Sequence, residues 1–236
     1  MIKALILDAG GVLVHPLRTN WLLPEGLEEI LGGIPAIDRE TFKRAHAECA
    51  HILSEDQLIT AEGHEIALRT EYTREMARRL NYPLTDEQAH EIAVHLLSRH
   101  KAYDDALPMV AEISKRMKVG VLSDSMPALM HTFMETGLTQ YFSSIVISSY
   151  YGFLKPDPRM YLQSLADLRV KPEEAVFVDD LEKNLIGAKK AGIRPVRMMR
   201  PFYTDEEPAP FDWDGPTVHD LSELNDWLKE NEDKDE

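Results

Sequence analysis

Apolar residues along the chain fall into short continuous runs and longer stretches of helical periodicity. Short runs of this kind are typical of strands buried on both faces of a parallel sheet, and they occupy residues 2–7, 118–122, 144–148, 175–178 and 195–198. The stretches between the later runs predict helices at residues 105–117, 127–135, 158–167 and 183–191. Strands that alternate with helices of about ten residues predict a Rossmann-like parallel sheet with right-handed crossovers.

The segment between the first two strand runs has a different pattern. Residues 24–101 predict helices with no strand between them, and Leu68, Tyr72, Met76 and Leu80 lie four apart on one helical face. The helices are predicted to begin at Pro24, Asp38, Thr60 and Thr85, and the first three end near Gly32–Gly33, Ser54 and Leu80. Four amphipathic helices inserted into an α/β sheet predict a four-helix-bundle cap.

This pattern predicts an α/β fold in three parts. The Rossmann-like core comprises residues 1–15 and 102–200, and the helical cap comprises residues 16–101. Residues 201–236 are expected to form a surface segment, a last amphipathic helix over Asp220–Glu230 and a disordered acidic end.

Charge and cysteine content narrow the possible partners and compartments. The net charge is -15, and residues 200–236 alone hold 13 acids against 3 bases. No basic stripe is found, so nucleic acid is not expected as a partner. No run approaches the roughly 20 apolar residues of a membrane span. The single Cys49 and the lack of a secretory pattern predict a cytoplasmic protein, with monomer and homodimer both left open.

Polar residues follow several of the predicted strands at the point where each strand ends. Asp8 follows the first strand and precedes Gly10 and Gly11, Ser123–Asp124 ends the second, and Asp179–Asp180 ends the run at 175–178. Lys155 lies in the loop before the helix at 158–167. The carboxyl ends of parallel strands meet at one edge of a sheet, where α/β proteins bind ligands. Each feature alone also fits an ordinary turn or helix cap, but their combination predicts a site.

The same residues indicate phosphate and metal chemistry. Gly10 and Gly11 allow a sharp turn whose N–H groups approach an anion. The Ser123 hydroxyl and the N–H that follows it suit a phosphate oxygen, and Lys155 supplies positive charge. Asp8 and Asp180 facing each other would repel, which favours a divalent ion between them. Mg2+ is the natural choice for such oxygen ligands.

In order and spacing these clusters, with Asn184 and the helix end at 188–193, resemble the haloacid dehalogenase (HAD) superfamily over about residues 1–200. The resemblance is strongest to the subfamily whose helical cap is inserted between the first and second motifs. It implies a hydrolase, most simply a Mg2+-dependent phosphatase of a small phosphorylated metabolite that acts through an aspartyl-phosphate. The implied roles are Asp8 as nucleophile and metal ligand, Ser123, Asp124, Lys155 and Gly11 at the phosphate, Asp180 and the Gly10 carbonyl on the metal, Asp179 supporting the metal, and Asn184 bonding within that shell.

One position departs from the pattern of the superfamily's phosphatases. The residue two after the nucleophile is usually a second Asp that acts as general acid and base, and here it is Gly10. Loss of such a group typically costs about 100- to 10,000-fold in rate. His15, Asp124 or bulk water are the possible substitutes, and His15, Pro16 and Arg18 in the connector are expected close to the site.

The departure at Gly10 keeps two other functions open. Haloacid dehalogenases of the superfamily lack the second Asp, use no metal and use an Arg from the cap, for which Arg39 or Arg44 are the candidates. A non-catalytic member that keeps the pocket for binding is the other alternative. A zinc site in the cap is not expected, because its histidines (His46, His51, His64, His90, His95 and His100) have no accompanying ligand pattern.

Overall fold

The computed structural model of the chain describes residues 1–17, 27–33, 37–54, 57–98, 100–201 and 213–231. Four predictions lie wholly or mainly outside these residues: the helix start at Pro24, the position of Arg18, the surface segment that begins at residue 201, and disorder of the acidic end after Asn231.

The described residues form strands and helices in the following chain order. The strands are β1 (Ala4–Leu7), β2 (Val14–Pro16), β3 (His100–Ala102), β4 (Lys118–Ser123), β5 (Phe142–Ile147), β6 (Ala175–Asp179), β7 (Arg194–Met198) and β8 (Thr217–Val218). The α-helices are α1 (Leu27–Leu31), α2 (Arg39–Cys49), α3 (Glu62–Arg79), α4 (Asp86–His95), α5 (Ala106–Ile113), α6 (Leu129–Glu135), α7 (Pro158–Leu168), α8 (Glu182–Lys190) and α9 (Leu221–Asn231).

Six of these strands form one parallel sheet in the order β5-β4-β1-β6-β7-β8. β1 lies in the middle, and all four of its residues are buried, as its continuous apolar run predicts. Successive side chains of a strand point to opposite faces. Leu5 and Leu7 accordingly join the hydrophobic core that includes α5 and α9, while Ala4 and Ile6 join the core that includes α7 and α8. The α/β fold predicted from the sequence is confirmed.

Helices α2 to α4 form a cap, as predicted. Asp38 begins α2 by accepting a hydrogen bond from the Thr41 backbone N–H, and Thr85 begins α4 in a capping box with Gln88. Cys49, Tyr72 and Met76 are buried together where α2 packs on α3. The division into the three predicted sequence ranges stays a prediction.

Two short pairings differ from the expectation. His100–Ala102 was predicted as the end of the helical region or its junction with the core, but it pairs antiparallel with Val14–Pro16 as β3 and β2. Residues near Val218 were expected only to wrap the surface before the last helix, but they form β8 beside β7. Strands of two or three residues are too short to leave an alternating pattern, and their partners lie far away in the sequence.

Candidate active site

The polar residues predicted to meet do so at the carboxyl edge of the sheet. β1 pairs with β4 on one side and with β6 on the other, so Asp8, Ser123 and Asp179 follow or end three adjacent strands. All three are buried. This common edge follows directly from the parallel register of the strands.

Lys155 reaches into this edge from the loop between β5 and α7. Its side chain is 1% exposed, and its ammonium lies 2.8 Å from Asp8 Oδ1 and 2.8 Å from Asp179 Oδ2. It also donates to the Leu122 carbonyl at 3.0 Å. Burial alone would lower the pKa of Lys155, but the charges of Asp179, Asp8 and Asp124 outweigh it and raise the pKa above its usual range. The lysine is therefore a fixed positive charge beside Asp8.

Asp179 is held by hydrogen bonds on both of its carboxylate oxygens. Oδ1 accepts from the Leu181 N–H at 2.8 Å and from Asn184 Nδ2 at 3.1 Å. Oδ2 accepts from Lys155 Nζ at 2.8 Å and from Asn184 Nδ2 at 3.0 Å. Asn184 lies in the first turn of α8. Tyr161, which the sequence analysis did not single out, fixes that turn by donating its hydroxyl to the Asn184 carbonyl at 2.8 Å. Asp179 is thus oriented by the protein, whereas Asp180 projects toward the turn after β1.

Gly11 makes room for the Asp180 carboxylate. Its φ is +70°, and a Cβ built on it would lie 2.4 Å from Asp180 Oδ2. Position 11 therefore requires glycine for two reasons, its backbone conformation and the close approach of Asp180. Gly10, in contrast, has no positive φ and forms a bridge with Val14.

Gly11→Ala is expected to lower stability by about 1–2 kcal/mol and to displace Asp180, with a loss of activity of about tenfold or more. The measurements are thermal unfolding and the magnesium concentration that gives half-maximal rate. Gly63→Ala is the matched control, because Gly63 lies in α3 with nothing within 4 Å of an added Cβ. The control should keep activity and gain about 0.5–1 kcal/mol. Unchanged magnesium dependence in Gly11→Ala would contradict the role given to this contact.

The acidic cluster fits a hard divalent cation. Asp8, Asp179 and Asp180 each offer a carboxylate oxygen within 4.8 Å of the others. Burial is the largest cause that raises the pKa of Asp179 and of Asp180, and the Asp8 charge raises both further. Buried carboxylates crowded in this way are stabilised by a metal ion, and carboxylate oxygens with water are the ligands Mg2+ prefers. The buried Asn184 Oδ1 has no hydrogen-bond partner among the described residues, which leaves an acceptor beside Asp179.

Of the remaining predicted residues, Asp124 contacts this centre directly, whereas His15, Arg39 and Arg44 have their own surroundings. Asp124 accepts a hydrogen bond from the Lys155 backbone N–H at 2.9 Å, and burial raises its pKa. His15 lies on β2, where Nδ1 is 2.8 Å from the Pro16 carbonyl oxygen and its ring packs against Tyr103. Arg39 and Arg44 are both exposed on α2.

Arg200 is a residue near the site that sequence reasoning missed. Its guanidinium donates to the Val12 carbonyl at 3.1 Å, pairs with both Asp105 oxygens and stacks over the Tyr103 ring. It thereby ties the turn after Asp8 to the segment after β7 and, through Asp105, to the Leu221 N–H at the start of α9. Its 188-residue separation from Val12 leaves no local sequence signal.

The described residues thus combine a parallel sheet and a helical insertion with a lysine-bridged carboxylate cluster at the carboxyl edge of the sheet. The profile of the haloacid dehalogenase-like hydrolases matches residues 2–192. The chain belongs to this family, and the resemblance found in the sequence is confirmed together with the inserted helical cap.

Relatives and solved structures agree with this assignment. The chain is 34% identical to a glyceraldehyde 3-phosphate phosphatase of Methanopyrus kandleri over 46% of its length and 48% of the relative. It is 35% identical to a phosphoserine phosphatase of Thermus thermophilus over 52% of its length and 53% of the relative. The chain thus spans about half the length of these curated relatives. The crystal structure of an L-2-haloacid dehalogenase shares the fold at a TM-score of 0.74 with 21% identity, covering 98% of this chain and 100% of that one.

Among the described residues, no helix combines the length and the apolar character needed to cross a lipid bilayer.

Proposed function

We propose that the protein is a Mg2+-dependent phosphatase of a small phosphorylated metabolite. The observation that carries the proposal is the placement of Lys155, whose ammonium joins Asp8 to Asp179 while the Asp180 carboxylate lies against the Gly11 turn. In this proposal Asp8 is the nucleophilic carboxylate, Lys155 is the fixed cation, and Asp179 and Asp180 supply further carboxylate oxygens in the same cluster. Phosphoryl transfer requires a nucleophile in line with phosphorus and positive charge at the equatorial oxygens.

In the proposed reaction an Asp8 oxygen attacks phosphorus, and an Asp8 O–P bond forms while the bond from phosphorus to the substrate oxygen breaks. The leaving oxygen takes a proton from water. A second water then attacks the phosphorus of the aspartyl-phosphate, and the Asp8 O–P bond breaks as the new O–P bond forms, which releases inorganic phosphate and a proton and restores the Asp8 carboxylate. The Ser123 hydroxyl and Lys155 hold the phosphoryl oxygens during both steps. Asp8, Asp180 and the Gly10 carbonyl would hold Mg2+, and the bound ion would supply positive charge against the developing negative charge. Asp179, fixed by Asn184 and Lys155, supports that arrangement.

The relatives support phosphate as the reacting group. Two of them are named as phosphatases of three-carbon compounds, glyceraldehyde 3-phosphate and phosphoserine. A small phosphorylated metabolite is therefore the proposed substrate class. Cytoplasmic location and a monomeric or homodimeric state stay predictions.

The dehalogenase alternative has less support from the site. Its candidate arginines, Arg39 and Arg44, are exposed on α2, whereas a metal-free site needs a cation directed at the substrate. The end of β6 carries two carboxylates, Asp179 and Asp180, each with an oxygen within 4.8 Å of an Asp8 oxygen. A purely binding role leaves the buried Asp8–Lys155 pair without an explanation.

A screen of phosphorylated metabolites with and without magnesium tests the proposal. Hydrolysis should require the metal, stop on chelation and be lost in Asp180→Asn, while Glu173→Gln, an exposed acid before β6, should behave as wild type. Release of chloride from 2-chloropropionate by the chelated enzyme would replace the proposal with the dehalogenase alternative.

Magnesium binding has a second readout in thermal unfolding. The melting temperature of the wild type should rise with magnesium, because an ion that binds only the folded state stabilises it, and Asp180→Asn should show no such rise. Without metal at neutral pH, Asp180→Asn should melt higher than wild type. Burial and the charges of Asp179 and Asp8 raise the Asp180 pKa to about 8, so the metal-free folded state loses stability as pH rises from 3.8 towards that value. A magnesium-induced shift that persists in Asp180→Asn would exclude this residue as a ligand.

A further inference from the structure

A buried ion pair on the cap lies directly against the segment that follows Ser123. Glu65 and Arg69, one turn apart on α3, are both buried. Arg69 donates to Glu65 Oε1 from Nε at 2.8 Å and from Nη2 at 2.6 Å. The remaining carboxylate oxygen, Oε2, accepts a hydrogen bond from the Ala128 N–H at 2.8 Å. Arg69 Nη2 also lies 3.6 Å from Met126 Sδ.

The Glu65 carboxylate caps the start of α6 by accepting the hydrogen bond from the Ala128 N–H. Ala128 precedes α6 and offers no side-chain cap of its own. A carboxylate at a helix start satisfies a backbone N–H and complements the positive end of the helix. Here that carboxylate comes from α3, 63 residues earlier in the chain.

The segment from Asp124 to Ala128 is therefore held by contacts from both the core and the cap. At its beginning, Asp124 accepts from the Lys155 N–H at 2.9 Å. Next, the Ser148 hydroxyl accepts from the Ser125 N–H at 3.0 Å and donates to the Ser125 carbonyl at 3.2 Å. These two attachments come from the core, whereas Glu65 at Ala128 and Arg69 at Met126 attach the segment to the cap.

We propose that Glu65, held by Arg69, is a positioning residue that fixes the phosphate-binding turn at Ser123–Asp124 through Ala128, so that catalysis depends on docking of α3. The catalytic part of this inference rests on the proposed phosphatase function, and the structural part does not. A displacement of about 1 Å at a reacting group can lower a rate about 100-fold. A turn that has lost its attachment to the cap is expected to hold the phosphoryl oxygens less accurately in the transition state.

A pair of variants separates positioning from stability. Glu65→Gln keeps an oxygen that can accept from Ala128 but leaves the buried Arg69 without a countercharge, which destabilises the fold. The double variant Glu65→Met with Arg69→Met removes both charges together, a change that buried ion pairs often tolerate, but it also removes the acceptor for Ala128. Glu62→Gln is the matched control, because Glu62 pairs with His131 of α6 at 2.7 Å across the same two helices at an exposed position.

The two variants are expected to rank in opposite order for melting temperature and for kcat. Glu65→Gln should melt well below wild type and keep kcat within about threefold. The double variant leaves the Ala128 N–H without its acceptor, so it should melt below wild type but above Glu65→Gln, and it should lose about tenfold or more in kcat, with a smaller change in KM. Amide hydrogen exchange at Ala128 should accelerate at least tenfold in the double variant, less in Glu65→Gln, and not in Glu62→Gln. A simple loss of folding stability would make kcat follow the melting temperature instead.

The exchange measurement does not depend on catalysis. If the wild type hydrolyses no phosphate ester but the double variant still exchanges faster at Ala128, the attachment of Ala128 by Glu65 is supported and the proposed phosphatase function is overturned. Unchanged exchange and unchanged kcat in the double variant would overturn the positioning role of Glu65. A kcat that falls with the melting temperature across all variants would overturn it as well.

Discussion

Asp8→Asn is expected to leave a folded protein with no measurable turnover. The amide has nearly the shape of the carboxylate, but it is not a nucleophile and cannot form the acyl phosphate. The expected loss is about 1,000-fold or more, in the range found when a covalent nucleophile is removed. Initial rates with a good substrate in magnesium give the measurement.

The fold should tolerate this substitution because of the contacts around Asp8. Lys155 loses one carboxylate partner but keeps Asp179 at 2.8 Å, so its charge does not become unpaired. The substitution also removes one of the negative charges crowded around Asp180. The melting temperature should therefore stay close to that of wild type, and Asp104→Asn, an exposed acid, serves as the control. Substantial activity in Asp8→Asn, with mass spectrometry excluding deamidation, would be incompatible with a covalent aspartyl intermediate.

The predictable part of the fold is the part in which local pattern and tertiary environment agree. Ala4–Leu7 is buried on both faces, and the same four residues form a continuous apolar run. α7 begins at Pro158 after Asp157, whose side chain accepts from the Arg159 N–H, so the cap and the proline marked its start. β2, β3 and β8 carried no such signal, because strands of two or three residues depend on partners distant in the sequence.

The candidate site also has a part that the sequence predicts and a part that it does not. The gathering of Asp8, Ser123 and Asp179 could be predicted because parallel strands end at a common edge. The contacts of Lys155 with both carboxylates could not, since they depend on how the loop before α7 folds. Glu65 was not singled out because acids in the first turn of a helix are common and stabilising for local reasons. Its bond to Ala128 exists only once α3 has docked on the core.

The leaving group of the substrate should affect the rate strongly, because Gly10 occupies the position of the usual general acid. Aryl and acyl phosphates leave readily without protonation and should turn over well, whereas alkyl phosphates should be slow. Each 1.4 kcal/mol of missing transition-state stabilisation is about tenfold in rate, and a missing general acid costs about 100- to 10,000-fold. A plot of log kcat/KM against leaving-group pKa should therefore slope steeply downward for a series of aryl and alkyl phosphates.

Gly10→Asp provides the sharpest test of this argument. Gly11 and not Gly10 has the positive φ of this turn, so the backbone at position 10 accepts an aspartate without left-handed strain. The variant should raise alkyl-phosphate turnover by about tenfold or more, leave aryl phosphates nearly unchanged and flatten the plot. A flat plot for the wild type would mean that another acid already protonates the leaving oxygen. Asp124, whose pKa burial raises, is then the first candidate, and Asp124→Asn should restore the slope, whereas a restored slope in His15→Gln would assign the role to His15.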